Sequence, residues 1–185
     1  MSTGDHVCPW WLAYTFDNWF RRLVHKPEKV LASYVKPGMT VLDVGCGMGH
    51  FSLGMARLVG PNGKVISVDL QEQMLQRVRK RAEKAGLSDR IITHVCHTDR
   101  IGVTEPIDFA LAFWMVHEVP DMTVFFTEIR SILKPSGKLL IVEPAFHVKR
   151  QEFSQELDVI AETGLSLCGA PDVLFSLGAL FSKEA

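Results

Sequence analysis

The sequence predicts an α/β fold: a doubly wound, mostly parallel sheet with helices on both faces. Three observations carry this. Short runs at 40–44, 64–69, 90–95, 107–113 and 138–142 are rich in Val, Ile and Leu, as strands buried on both faces are. Segments of helical periodicity alternate with them, and alternation at this spacing builds right-handed βαβ units. The first run passes into three alternate glycines, Gly45, Gly47 and Gly49, and then into a helical pattern.

Taken in order, the first element is a helix over 10–25, with Leu12, Phe16, Trp19, Phe20 and Leu23 at helical spacing and three of the four tryptophans. Two readings stand: an amphipathic helix packed on the domain, or a lid over a site. A second helix over 27–35 opens on Pro27 at N1 and ends before Lys36-Pro37-Gly38. The helix over 50–59 follows the first strand and stops at Gly60-Pro61-Asn62-Gly63. The helix over 71–85 carries Met74, Leu75, Val78, Ala82 and Ala85 on one side, with Gly86 as its C′ residue. The helix over 120–133 carries Val124, Phe125, Ile129, Ile132 and Leu133, and Pro135-Ser136-Gly137 turns into the next strand. A last helix covers 153–163. Two final strands, 165–168 and 174–181, joined through Gly169-Ala170-Pro171-Asp172, would pair antiparallel across so short a connection.

Composition bounds the function. At 185 residues and 47% hydrophobic, the chain suits one domain with a core and is not a disordered chain. Twenty basic against 21 acidic residues leave a net charge of −1, with no electrostatic pull toward a nucleic-acid backbone. Cysteines at 8, 46, 96 and 168 form neither a disulfide framework nor a CxxC zinc pattern, which suits a reducing cytoplasm. No run reads as a membrane span or a secretory signal. Mean hydropathy is +0.12, and the apolar excess fits a greasy pocket, a subunit interface or a membrane surface.

The glycine loop points to a nucleotide-like ligand. Glycine turns the backbone sharply and lets a ligand approach main-chain N–H groups. Asp69 ends the next strand, where a carboxylate can accept both hydroxyls of a ribose; the alternative is an N-cap for the helix over 71–85. The dinucleotide spacing G-x-G-x-x-G/A would put His50 at its third position, too large for close helix–strand packing. Asp43 beside the loop repels phosphate and attracts an ammonium or sulfonium; alternatively it holds the loop by accepting N–H bonds. Cys46 reads as a small loop residue. Spacing and charge together favour S-adenosylmethionine over NAD.

At this point the chain resembles the class I S-adenosylmethionine-dependent methyltransferases. The resemblance runs from residue 27 to the C-terminus and rests on VLDVGCGMG at 41–49, VISVDL at 65–70, IDFALAFWMVHEV at 107–119 and LKPSGKLLIVEP at 133–144. It implies a seven-stranded sheet with a C-terminal antiparallel hairpin. It also implies a methyltransferase domain over 27–185, behind an aromatic N-terminal helix or lid over 1–26. The glycine loop would lie against the methionine part of the cofactor and Asp69 on the ribose. Leu70 and Met74 would flank the adenine, and one of His97, Thr98 and Asp99 would meet its amino group. Phe113 and Trp114 would line cofactor and substrate.

Methyl transfer from a sulfonium is an in-line displacement with a good leaving group. The enzyme must align the acceptor, exclude water and, for a phenol-like acceptor, take a proton. Candidate catalytic groups follow strands four and five: His117 as base or orienting group, and Glu143, with His147 shortly after. His117 is otherwise a helix-start histidine bonded to backbone. Trp10, Trp11 and Tyr14 would cap the cofactor and hold the sulfonium by cation–π contact. His94, Cys96 and His97 do not converge on one face, so no metal is expected. The adenine-methylating Asn/Asp-Pro-Pro-aromatic signature is absent after strand four, where Phe113-Trp114-Met115-Val116 stands, so no nucleic-acid partner is expected. Residues 10–25, with Arg21-Arg22, resemble the N-terminal part of quinone-ring methyltransferases. That likeness favours a lipophilic small molecule as substrate. Exposed aromatics on the first helix would favour a homodimer or a peripheral membrane contact. The rival readings are a non-catalytic cofactor-binding sensor or scaffold and an NAD oxidoreductase.

Overall fold

The computed structural model describes residues 25–184. Its strands are Thr40–Val44 (β1), Lys64–Asp69 (β2), Ile91–Val95 (β3), Ile107–Phe113 (β4), Leu133–Pro144 (β5), Leu165–Gly169 (β6) and Ser176–Lys183 (β7). The helices are Pro27–Leu31 (α1), His50–Leu58 (α2), Glu72–Ala85 (α3), Met122–Ile132 (α4) and Arg150–Glu162 (α5). One seven-stranded sheet runs in the order β3-β2-β1-β4-β5-β7-β6. The first five strands pair parallel, and β7 pairs antiparallel with both β5 and β6. The doubly wound sheet and its terminal antiparallel pair are thus those the sequence predicts.

Period two along each strand divides the core. Leu42, Val44, Ala110 and Ala112 face one side, where Phe126, Ile129 and Phe153 from α4 and α5 cover them. Val41, Phe109, Leu111 and Phe113 face the other, against Leu31, Phe51 and Met55 from α1 and α2. Each such fully buried Leu or Phe contributes about 1.5–3 kcal/mol. Helix α2 comes close to α1 because Gly54 lacks a Cβ, which would stand 2.2 Å from Pro27 Cβ.

Three boundaries differ from expectation by three residues or more, each for a local reason. The helix over 27–35 ends at Leu31, and turns held by Val35 N–H to Leu31 O carry the chain on. Strand β5 begins at Leu133 rather than 138, because Pro135-Ser136-Gly137 forms a bulge inside it. Ile107 pairs with Leu133 and Phe109 with Lys138. Helix α5 starts at Arg150 rather than 153, where the Glu152 carboxylate accepts the Lys149 N–H at 2.9 Å. The segment 10–25, with Trp10, Trp11 and Tyr14, lies outside the described residues apart from His25. Among the described residues no helix is long and apolar enough to cross a membrane.

Strand order reverses between β1 and β4, and the crevice outside their C-terminal ends is where open α/β sheets bind ligands.

Candidate active site

A cleft of about 860 Å³ opens at that crevice. Its floor is the loop between β1 and α2. Gly49 caps α2 with φ +77°, and a Cβ there would stand 2.9 Å from Val78 on α3. Gly47, with φ +52°, has nothing within 4 Å of its Cβ position, so its bare face adjoins the cleft. Any side chain in this left-handed region is strained by roughly 1–2 kcal/mol. Asp43 is 2% exposed and accepts the hydroxyl of Ser52, itself buried in the first turn of α2. The sequence suggests N–H donors for Asp43; the structure adds a serine that spacing does not reveal.

Asp69 ends β2 with its carboxylate on the loop. It accepts the N–H of Gly47 and of Gln71, each at 2.9 Å. A carboxylate has about four acceptor positions, so capacity remains for ribose hydroxyls. Burial pushes its pKa up, against the lowering effect of those N–H bonds. The N-cap of α3 is Gln71, so Asp69 does not serve as that cap. Leu70 and Met74 line the cleft beside it. His97 and Arg100 exchange backbone hydrogen bonds at 3.0 and 3.3 Å, a tight turn that sets His97, Thr98 and Asp99 in the cleft wall. Burial, with the charges of Asp43 and Asp69, pushes the Cys46 thiol well above its ordinary value. It stays a protonated loop residue, not a nucleophile.

Across the cleft, β4 ends at Phe113 and the chain turns through Trp114 at φ +59°. Trp114 Nε1–H donates to Ser176 Oγ at 3.0 Å, and its ring meets Phe146 edge-on. Glu143, at the end of the neighbouring strand β5, is wholly buried. Its Oε1 accepts the N–H groups of Met115 and Val116 at 3.2 and 2.9 Å, and its Oε2 pairs with His117 Nδ1. A carboxylate bonded in this way accepts, so Nδ1 carries the hydrogen and neutral His117 keeps its Nε2 lone pair. The partner of this histidine is thus a carboxylate, where a helix-start position suggests a backbone group. Burial lowers the His117 pKa, but the Glu143 bond and the charges of Glu143, Glu118 and Glu156 outweigh it and raise the group above its ordinary 6.5. His147 stacks edge-on, its ring 4.8 Å from that of His117.

Most of the sequence-predicted residues meet in one cleft: Asp43, Gly45, Cys46, Gly47, Asp69, Leu70, Met74, His97, Thr98, Asp99, Phe113, Trp114, His117 and His147 line it. Gly49 and Glu143 stand behind the lining. Among the described residues no three His, Cys, Asp or Glu side chains group as a metal site.

The lining also bears on the choice of cofactor. It holds six carboxylates (Asp43, Asp69, Asp99, Glu118, Asp121 and Glu128) against one guanidinium, Arg100. That field repels a pyrophosphate and suits a sulfonium. The bare face of Gly47 and the spare acceptor capacity of Asp69 fit the rest of S-adenosylmethionine.

Fold and cleft together define the class I S-adenosylmethionine-dependent methyltransferase architecture. A family model described as "Methyltransferase domain" matches residues 35–167, and the chain belongs to that family, whose cofactor is S-adenosylmethionine. The chain is 30% identical over 123 residues to a demethylmenaquinone methyltransferase of Bacillus cytotoxicus, covering 66% of this chain and 52% of that protein. It is 32% identical over 117 residues to one of Symbiobacterium thermophilum, covering 63% and 47%. The chain therefore spans about half the length of the curated relatives it matches. A solved S-adenosylmethionine-dependent methyltransferase of Aquifex aeolicus superposes with a TM-score of 0.85 at 24% identity, covering 95% of this chain and 99% of that one.

Proposed function

We propose that the protein transfers a methyl group from S-adenosylmethionine to a small lipophilic acceptor, a hydroxylated ring related to the demethylated quinones its relatives are named for. The observation that carries this reading is the half-buried His117 in the cleft wall, paired with the wholly buried Glu143 behind it, in a cleft also lined by Phe113, Trp114, Met115, Val119, Phe125 and Phe146. Bound in the cleft, S-adenosylmethionine supplies an electrophilic methyl group on a sulfonium. Asp69 would hold its ribose, Leu70 and Met74 its adenine, and the loop at Gly47 its amino-acid end.

The chain's own residues do the rest. Glu143 fixes the tautomer of His117 and stabilises the imidazolium form. His117 Nε2 takes the hydroxyl proton of the acceptor, which raises electron density on the ring oxygen and on the carbon beside it. The aromatic wall excludes water from the reacting atoms. The free thiols of Cys46, Cys96 and Cys168 support a cytoplasmic location.

The test is incubation of the purified chain with methyl-labelled S-adenosylmethionine and a short-tailed demethylmenaquinol, or an extract of the source cells. Label should enter the solvent-extractable fraction and vanish with Asp69→Ala. Label confined to acid-precipitable material would overturn the small-molecule reading. Cofactor binding with no label in any fraction would favour a sensor.

A further inference from the structure

Helix α4 has two faces. Phe126, Ile129 and Ile132 are buried in the core. Its N-cap Asp121, with Val124, Phe125 and Glu128, follows the spacing i, i+3, i+4, i+7 and lines the cleft. The last of these reaches across to the loop between β3 and β4. Glu128 Oε2 accepts the N–H of Ile101 at 2.7 Å, and its Oε1 accepts the N–H of Gly102 at 2.6 Å. Bonds of this length to a carboxylate are of the strong, charge-assisted kind. The other end of the loop is tied to the sheet by Cys96 N–H on Asp69 O at 3.1 Å. Between the two ties, the backbones of His97 and Arg100 bond each other, so that turn closes on itself. Thr98 and Asp99, at its tip, stand in the cleft wall. Their position is set by whatever holds the two ends of the loop.

We infer that Glu128 is a positioning residue for the base of the cofactor: by clasping Ile101 and Gly102 it fixes the wall that reads the adenine edge, and so sets a preference for adenine over a 6-oxo purine. The clasp passes the fixed position of a core-packed helix to a loop that has no regular structure of its own. A carboxylate suits this task and an amide does not. Both carboxylate oxygens accept, whereas Gln would turn a donor NH2 toward one of the two N–H groups. Both oxygens of Glu128 are engaged by the loop, so it acts on the base through the loop and touches no reacting atom. The inference rests on the proposed cofactor placement, with adenine at Leu70 and Met74 and against this loop.

The experiment is calorimetric binding of S-adenosylhomocysteine and of its 6-oxo counterpart, S-inosylhomocysteine, to wild type, Glu128→Gln and Glu128→Ala, with urea unfolding of each. Neither ligand carries a sulfonium, so removal of a cleft charge acts on the two alike. Wild type should prefer the adenine ligand by about tenfold, the worth of one well-placed hydrogen bond. Glu128→Ala should bring that ratio close to one, chiefly by weakening S-adenosylhomocysteine, and Glu128→Gln should fall between. A wild type indifferent to the base would overturn the inference. So would a folded Glu128→Ala that keeps the wild-type ratio, even with both affinities lowered in step, since that is the mark of a merely structural role. If Glu128→Ala does not fold, Glu128→Gln decides by the same ratio. Amide hydrogen exchange of the ligand-free wild type tests the clasp separately. The Gly102 amide, whose bond lies at the surface, should be protected, and exchange at the free-peptide rate would overturn the clasp. Failure of wild type to bind S-adenosylhomocysteine would instead strike the cofactor placement and the inference with it, and a protected Gly102 amide tells that failure from failure of the clasp.

Discussion

Replacing Glu143 by Gln separates the structural from the chemical use of one carboxylate. The side chain is wholly buried and accepts three hydrogen bonds, two from the Met115 and Val116 backbone and one from His117. Gln has the same shape but one acceptor oxygen. That oxygen can keep the two backbone N–H groups, and the amide NH2 then faces His117 Nδ1. Nδ1 must become the acceptor, so the imidazole hydrogen moves to Nε2. The lost charge assistance, partly offset by a buried charge removed, should lower stability by about 1–2 kcal/mol. Glu143→Ala leaves all three donors without a partner and should lose about 3–5 kcal/mol. Urea unfolding at neutral pH reads both. For catalysis the order of severity changes, because the inverted tautomer removes the base. In a Ser-His-Asp triad, the same exchange of carboxylate for amide lowers kcat by about 10⁴-fold with the geometry intact. Here Glu143→Gln should lower kcat by about 10²–10⁴-fold for a hydroxylated acceptor, with little change in S-adenosylhomocysteine affinity. A Glu143→Gln protein that folds and turns over like wild type would refute this reasoning.

Other consequences are simpler. Asp69→Ala should keep the fold and weaken S-adenosylhomocysteine binding about 10²-fold or more, since two bonds to a charged group are worth about 3 kcal/mol together; unchanged calorimetric affinity would sink the ribose assignment. Gly49→Ala should lower stability by about 2–4 kcal/mol through left-handed strain and the clash with Val78. Gly47→Ala should lose only about 1–2 kcal/mol of stability but also cofactor affinity, because its methyl group enters the cleft; equal effects on both readouts at the two positions would contradict the geometry. The raised pKa values of Glu156 and His117 have one sign. Both groups hold protons more tightly in the folded chain, so their contribution is full at low pH. It is lost as pH rises, between about 4.5 and 7 for Glu156 and through the raised value for His117. Wild type should therefore lose stability from pH 5 to 8, and Glu156→Gln should lose less; parallel urea-unfolding profiles would exclude the buried acid as the cause.

The parts of the fold set by periodicity can be read from the sequence. Runs of buried residues mark β1, β2 and β4, and the turn residues around them fix the order of elements. That Gly45, Gly47 and Asp69 come together in one cleft is equally legible, because they sit at fixed spacing at the ends of adjacent parallel strands. What cannot be read is what depends on depth. His117 and Glu143 each stand out as candidates, but 26 residues separate them and nothing in either segment names the other. Ser52 reads as an ordinary polar residue in a short amphipathic helix, although it satisfies Asp43. Glu156 lies among charged neighbours, Glu152 and Asp158, and its sequence carries no sign that it alone is buried. The start of α5, where Glu152 accepts the Lys149 N–H, leaves little sequence signal because the N-cap residue, Lys149, has no side-chain acceptor.

The link between His117 and Glu143 follows from sheet register. Phe113 pairs with Val142, so Trp114, the first residue past β4, stands beside Glu143, which is still in β5 and pairs with Leu177 of β7. Trp114 N–H still bonds Val142 O at 2.7 Å, and only the next residue departs from the ladder. A chain leaving a strand there must find partners for its first free N–H groups. The positive φ of Trp114 turns Met115 and Val116 back so that both N–H groups meet one carboxylate oxygen. The strain of that turn, about 1–2 kcal/mol for a residue with a Cβ, is offset by two charge-assisted bonds of about 1.5–3 kcal/mol each. The second oxygen is left to orient His117 at the cleft. The acid that closes the turn is therefore the acid that sets the tautomer of the proposed base. A substitution that preserves one use and destroys the other must keep the shape of Glu143 and remove only its charge.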